Sequence, residues 1–230
     1  MVAAAIAAVA AGASAQTAKP VKAPNVQIIA GKPCPTLAGC YMKAFTRDVT
    51  KTPEGTYRLS TPHVALIIKV PHNGLSWSVF RLNKMTGTIT WKPNDIAASA
   101  LNAVVDAKSL ETNVPGFAAQ IEGPQFLNAD KFPTITFVST GAKQTSATTG
   151  VLSGNLTLLG VTKPASFDVT FIGGTPSAAN PMNLGFNATG RIKRSDFGMT
   201  DSLGPVGDDI LIELDVEAAL ARNPAAGAGQ

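Results

Sequence analysis

Acid–base, nucleophilic or metal chemistry needs the right side chains in the right spacing, and this chain supplies few of either. Its two histidines, His63 and His72, lie nine residues apart. On one straight strand they stand ~30 Å from each other and on opposite faces, so they do not share a metal there. Each reads as a hydrogen-bonded strand-end residue, with ligand contact or proton transfer as the alternative, because imidazole both donates and accepts near neutral pH. The acids Asp196, Asp201, Asp208 and Asp209 flank glycine-containing turns, where Asp favours bonds to local backbone, and their spacing is not that of an EF-hand. No Gly-rich phosphate loop, GxSxG elbow or Cys/His zinc spacing is present in the sequence. We therefore expect no catalytic residues, no metal and no cofactor.

The remaining reactive groups are Cys34 and Cys40, in the stretch Cys-Pro-Thr-Leu-Ala-Gly-Cys. In an exported protein such a pair reads as a disulfide closing a small loop. Leu37-Ala38-Gly39-Cys40 also spells a lipoprotein-type cleavage box in which Cys40 carries lipid. Such a box directly follows an apolar run, whereas here Lys19, Pro20, Lys22, Pro24, Lys32 and Pro33 intervene. The disulfide is the stronger expectation.

The first fifteen residues are that apolar run, and they end in Ala13-Ser14-Ala15, the small-x-small pattern of a signal-peptide cleavage site, without a basic stretch in front. The run falls short of the ~20 residues that span a bilayer, so an integral membrane protein is not expected. Residues 16–51 carry six basic side chains (Lys19, Lys22, Lys32, Lys43, Arg47, Lys51) against one acid, Asp48. The remaining thirteen basic and fourteen acidic residues nearly cancel, so the pI near 9.1 comes from an N-terminal arm. The body has no electrostatic footprint for a phosphate backbone, and nucleic acid is not an expected partner.

Hydrophobic residues at 45% are ample for one sizeable core, while few charges and plentiful Gly and Pro favour turn-rich β structure. Apolar residues recur with period two between turn signals from about Thr56. On His63–His72, residues Val64, Leu66, Ile68 and Val70 share a face. Further strands are expected at 86–91, 97–107, 132–140, 150–159, 165–172, 183–194 and 209–218. A short helix is expected after Pro115, in the stretch interrupted by Gly123-Pro124. One-sided strands of this kind form antiparallel sheets, and about eight of them close into a barrel. A β-sandwich is the structural alternative. The fold class is all-β, an antiparallel eight-stranded barrel with one short helical insertion. The expected organisation is a signal peptide at 1–15, a Pro/Lys-rich arm with the cysteine loop at 16–54, the barrel at 55–219 and a tail at 220–230.

The chain resembles the YceI-like proteins of the bacterial periplasm along about residues 55–218. The resemblance is carried by His63–His72 with Asn73-Gly74, Phe80, Met85-Thr-Gly87, Ala107–Thr112, Asn128–Phe137, Gly154–Pro164 with its hairpin at Gly160, and Arg194-Ser-Asp-Phe-Gly198. It implies an extended lipocalin-like barrel that binds a long apolar chain, a polyisoprenoid, isoprenoid quinone or other lipid, and no catalytic motif. Pro115 and Gly116 stand where family members tend to be charged.

The expected ligand-contacting set joins the inward faces to two aromatics: Val64, Leu66, Ile68, Trp77, Phe80, Phe137, Leu156, Leu158, Phe167, Val169, Phe186 and Ile212. Trp91 belongs with Trp77 and Phe80 as an aromatic recognition surface or as core. The function expected is a periplasmic, non-enzymatic carrier that sequesters an apolar ligand, with a homodimer left open. The alternative is an envelope interaction module whose barrel is filled by its own side chains. A cavity wall and a filled core have the same composition, so the sequence does not separate them.

Overall fold

A strand with one apolar face must bury that face, and a sheet of such strands escapes exposed edges by closing on itself. The computed structural model describes residues 45–176 and 182–221, with two short strands before them, β1 (Ile28–Ile29) and β2 (Lys32–Pro33), which pair antiparallel. The expected signal segment, Cys34 and Cys40, and the chain after residue 221 lie outside the described residues. The chain divides into a unit of residues 1–43 and one of 44–230, and the second holds the barrel.

Its strands are β3 (Gly55–His72), β4 (Ser76–Leu82), β5 (Met85–Trp91), β6 (Ala100–Asp106), β7 (Leu110–Glu111), β8 (Thr134–Gln144), β9 (Thr149–Leu158), β10 (Val161–Gly174), β11 (Asn183–Lys193) and β12 (Asp209–Leu220). The six-residue helix α1 (Phe117–Glu122) lies between β7 and β8. Around the ring the order is β3, β5, β6, β8, β9, β10, β11, β12, and β12 pairs back onto β3. The result is an eight-stranded closed antiparallel barrel. β4 pairs with the second half of β3 while β5 pairs with the first, so the two act as one broken strand. β7 continues β6 in the same way, pairing with β4 at Arg81 and Leu82.

Turn chemistry fixes the register of two hairpins. Leu158 and Val161 are joined by Leu159 and Gly160, both at positive φ (53° and 74°), the geometry that matches the twist of the flanking strands. Asn73 (φ 53°) and Gly74 (φ 66°) make the same turn between β3 and β4, closed by Leu75 N–H donating to the His72 carbonyl at 3.0 Å. β3 is bent where it faces Glu217. Val64 pairs with Val216 and Leu59 with Ala218, so Ser60–His63 bulge opposite a single residue. His63 sits on this bulge, exposed, 3.0 Å from Ser60 Oγ and 3.5 Å from Glu217.

Residues 45–54, which the sequence assigns to the arm, pack on the barrel. Thr46 exchanges backbone bonds with Gly174 at 2.8 and 2.9 Å. Asp48 caps the short turn Val49–Lys51, and Val49 and Thr52 are buried. Thr52 Oγ1 accepts from Trp91 Nε1 at 2.8 Å and donates to the Val49 carbonyl at 2.6 Å. Tyr57 is fully buried beside this segment, its hydroxyl donating to the Pro53 carbonyl at 2.7 Å, and burial pushes its pKa up to about 12.

Candidate ligand cavity

Residues directly opposite in an antiparallel pair point to the same face, so the register can be followed around the wall. Phe80 on β4 faces Ile68 on β3, which faces Ile212 on β12, then Gly190 on β11, Phe167 on β10 and Leu152 on β9. A second tier runs Leu82, Leu66, Leu214, Ala188, Val169 and Gly150. A third runs Val64, Val216, Phe186 and Phe171. All three tiers point inward.

These tiers do not meet at the axis. A cavity of about 530 Å³ remains, within the range of small-molecule sites and far above the water-sized voids of a packed core. Ten of the twelve expected residues line it: Leu66, Ile68 and Phe80; Phe137, Leu156 and Leu158; Phe167 and Val169; Phe186 and Ile212. Val64 is buried in the third tier without reaching the cavity surface. Trp77 departs from the expectation. Phe80 and the half-buried Ser78 take the inward positions of β4, which turns Trp77 and Val79 outward, each about half exposed.

Glycines make room for the largest rings. A Cβ on Gly190 would stand 2.6 Å from the Phe167 ring, and one on Gly154 would stand 2.4 Å from the Phe137 ring. The two phenyl groups meet edge to face, 5.3 Å between centroids and 89° between planes, the arrangement the ring quadrupoles favour. Trp91, expected as recognition surface or core, also lines the cavity, as does Phe171, which the expected set does not contain. With Phe186 they form an aromatic cluster at one end, Trp91 being 5.4 Å from Phe186 and 6.0 Å from Phe171. The signal was available in β5, where Met85, Ile89 and Trp91 alternate onto one face and are all buried.

Most of the polar lining residues stand near the two ends, Thr136, Thr149 and Arg194 being the others. His72, Ser78, Gln120 and Ser202 line the end that carries the β3–β4 turn; Ser99, Lys143, Gln144 and Thr148 line the other. Among the described residues no Asp or Glu lines the cavity, and no group of three His, Cys, Asp or Glu is placed to hold a metal. His72 has the Asn73 amide 3.4 Å from its Nδ1.

One charged group is buried at the β3–β4 end. Arg194 is 1% exposed and donates from Nε to Gly207 O (2.9 Å), from Nη1 to Met199 O (3.0 Å) and Asp201 O (2.7 Å), and from Nη2 to Val206 O (2.9 Å). Burial pulls its pKa down, while the nearby Asp208 and Asp201 act in the opposite sense. Asp208 accepts from the Ser195 N–H at 2.9 Å and the Ser195 hydroxyl at 2.8 Å; the backbone bond foremost holds its pKa below the usual carboxylate value. These bonds fix the connection between β11 and β12 across that end. Asp208 thus does the local backbone work expected of it from its place beside a turn.

Comparison with known proteins places this geometry. The YceI-like domain family matches residues 57–218. A UPF0312 protein of Yersinia pestis (strain Pestoides F) is 35% identical over 184 residues, covering 79% of this chain and 95% of the relative. BcnA of Burkholderia cenocepacia has a similar structure, with a TM-score of 0.61 at 19% identity, covering 69% of this chain and 98% of that one. A polyisoprenoid binding domain from Saccharophagus degradans, implicated in plant cell wall breakdown, matches with a TM-score of 0.53 at 12% identity, covering 74% of this chain and 100% of that one. These two structures share the fold with the present chain.

Proposed function

Since this chain belongs to the YceI-like domain family, we propose that it is a periplasmic binding or carrier protein that sequesters a long apolar ligand, a polyisoprenoid, isoprenoid quinone or other lipid, inside its barrel. The observation that carries this reading is the cavity itself, about 530 Å³ enclosed by tiers of aliphatic and aromatic side chains with few polar groups, most of them near the ends. Each CH₂ moved from water into such a wall contributes about 0.8 kcal/mol, so a prenyl chain gains affinity without specific polar contacts. Specificity then comes from the length of the cavity and the polar groups at its ends. A polyisoprenoid binding domain on the same fold supports the assignment of ligand class.

Chemistry other than binding finds little to work with. A general acid–base site needs two groups in hydrogen-bond reach of one reacting atom, and the described lining offers His72 without a carboxylate. The apolar N-terminal run with its small-x-small end supports export. Among the described residues no helix is long and apolar enough to cross a membrane. The rival reading, an interaction module with a filled barrel, runs against the size of the cavity.

Titration with a prenyl-tailed quinone tests the proposal, because Trp91 lines the cavity and its emission is quenched by a bound quinone. Saturable quenching near one equivalent is expected. Ala188→Phe, which places a ring in the second tier, should weaken it by roughly tenfold or more while leaving the circular dichroism of the barrel unchanged. Quenching that never saturates, or that Ala188→Phe leaves unaltered, would contradict the proposal.

A further inference from the structure

Apolar side chains are exposed on the outward face of β4 as far as Arg81 and on the loop across β3 from it. Leu75, at the turn between β3 and β4, is 89% exposed; Trp77 and Val79 follow on the outer face of β4 at 46% and 47%; Leu203 is 41% exposed. The elements are physically joined. Trp77 stands opposite Pro71 on β3, Asn73 N–H donates to the Pro205 carbonyl at 2.6 Å, and Gly207 N–H donates to the Pro71 carbonyl at 2.8 Å. The loop from Ser202 to Gly207 therefore flanks the tip of β3 on the side opposite β4. Neither Asn73–Phe80 nor Ser202–Gly207 contains a charged residue.

Position gives this patch its meaning. The same two segments turn other side chains into the cavity: Ser78 and Phe80 from β4, Ser202 and Val206 from the loop, and His72 from the end of β3. His72 and Ser202 are solvent-exposed, so this is a rim and not sealed wall. The outside of the rim is apolar and the inside leads to the apolar lumen.

We propose that this rim docks on the phospholipid bilayer, with Leu75 entering the acyl boundary and Trp77 lying at headgroup depth. Three features fit a bilayer better than a protein partner. Its most exposed residue, Leu75, stands at a tight turn. It joins a leucine to a tryptophan, the pairing in which an apolar group enters hydrocarbon and an amphipathic ring stays at the interface. Neither segment carries an ionised side chain, and Lys69, opposite Val79 on the same face, is paired with Glu213 at 2.8 Å, which limits the desolvation cost at the tip. The inference goes beyond the carrier reading and takes from it only the reason for the patch lying on the rim: an insoluble chain can then pass between membrane and lumen without crossing water.

The chain carries its own reporter, since its two tryptophans are the exposed Trp77 and the buried Trp91. The full chain, stripped of bound lipid, is mixed with vesicles of phosphatidylcholine brominated in the acyl chains, which are net neutral and so do not recruit the basic arm. The expected result is sedimentation with the vesicles together with bromine quenching of Trp77, identified by its loss in Trp77→Phe. The double variant Leu75→Ser/Val79→Ser should bind roughly tenfold or more weakly while retaining quinone titration. Absence of sedimentation overturns the proposal. So does sedimentation that the double variant preserves or that leaves Trp77 unquenched, because another segment then carries it. Burial of Trp77 by protein concentration alone would assign the rim to a second copy of the chain and equally overturn it. Loss of quinone binding in the wild-type chain would instead strike the carrier reading, which the vesicle result does not depend on.

Discussion

Arg194 gives four N–H bonds to main-chain carbonyls and none to a carboxylate, so its role is to organise backbone. The carbonyls of Met199, Asp201, Val206 and Gly207 belong to a connection with little regular structure, and a buried carbonyl without a donor is costly. Arg194→Met should therefore destabilise the protein by about 3 kcal/mol or more, read as a shift in the urea midpoint, and Arg194→Lys should recover little of it because one ammonium cannot match the planar fork. A loss under about 1 kcal/mol would mean that the carbonyls find other partners. The sequence contains the residue within Arg194–Gly198 but gives no hint of this role, since acceptors on the backbone leave no trace in side-chain identity.

Among the elements, strands with clean alternation are legible and those without it are not. On β10 the buried Phe167 and Phe171 alternate with exposed Asp168 and Thr170, and the period-two pattern suffices to assign faces. β4 escapes that logic because Leu75, Trp77 and Val79 are apolar outside while Phe80 and Leu82 are apolar inside, so no alternation separates the faces. β3 is legible only in its second half, from Val64. The buried positions change parity across the Ser60–His63 bulge, from Tyr57 and Leu59 to Val64 and Leu66, and a period-two reading cannot continue through that change. Glycines on the inner wall carry a related constraint. Gly154→Ala would bring a methyl group to 2.4 Å from the Phe137 ring and 2.6 Å from the Val138 carbonyl. Thermal unfolding should show a loss of about 1–3 kcal/mol for this variant, and unchanged stability would mean that both the ring and the Val138 backbone can give way.

For the whole molecule the decisive quantity is the space between the walls. Ring closure through eight strands follows from the need to bury one face and leave no edge, and the alternating sequence is enough to anticipate it. Whether opposite walls touch depends on side-chain reach across the lumen, which composition does not encode; Leu156 or Phe167 would be equally at home in a solid core. The structure leaves about 530 Å³ open. That volume turns the expected inward-facing residues from core into a candidate binding wall. Native mass spectrometry of the protein purified from its host, followed by denaturation to release small molecules, addresses this directly. A stoichiometric prenyl or fatty-chain species bound to the wild-type protein, and absent from Ala188→Phe, is the predicted result. Repeated recovery of clean apo protein would contradict the claim that the barrel exists to hold an apolar chain.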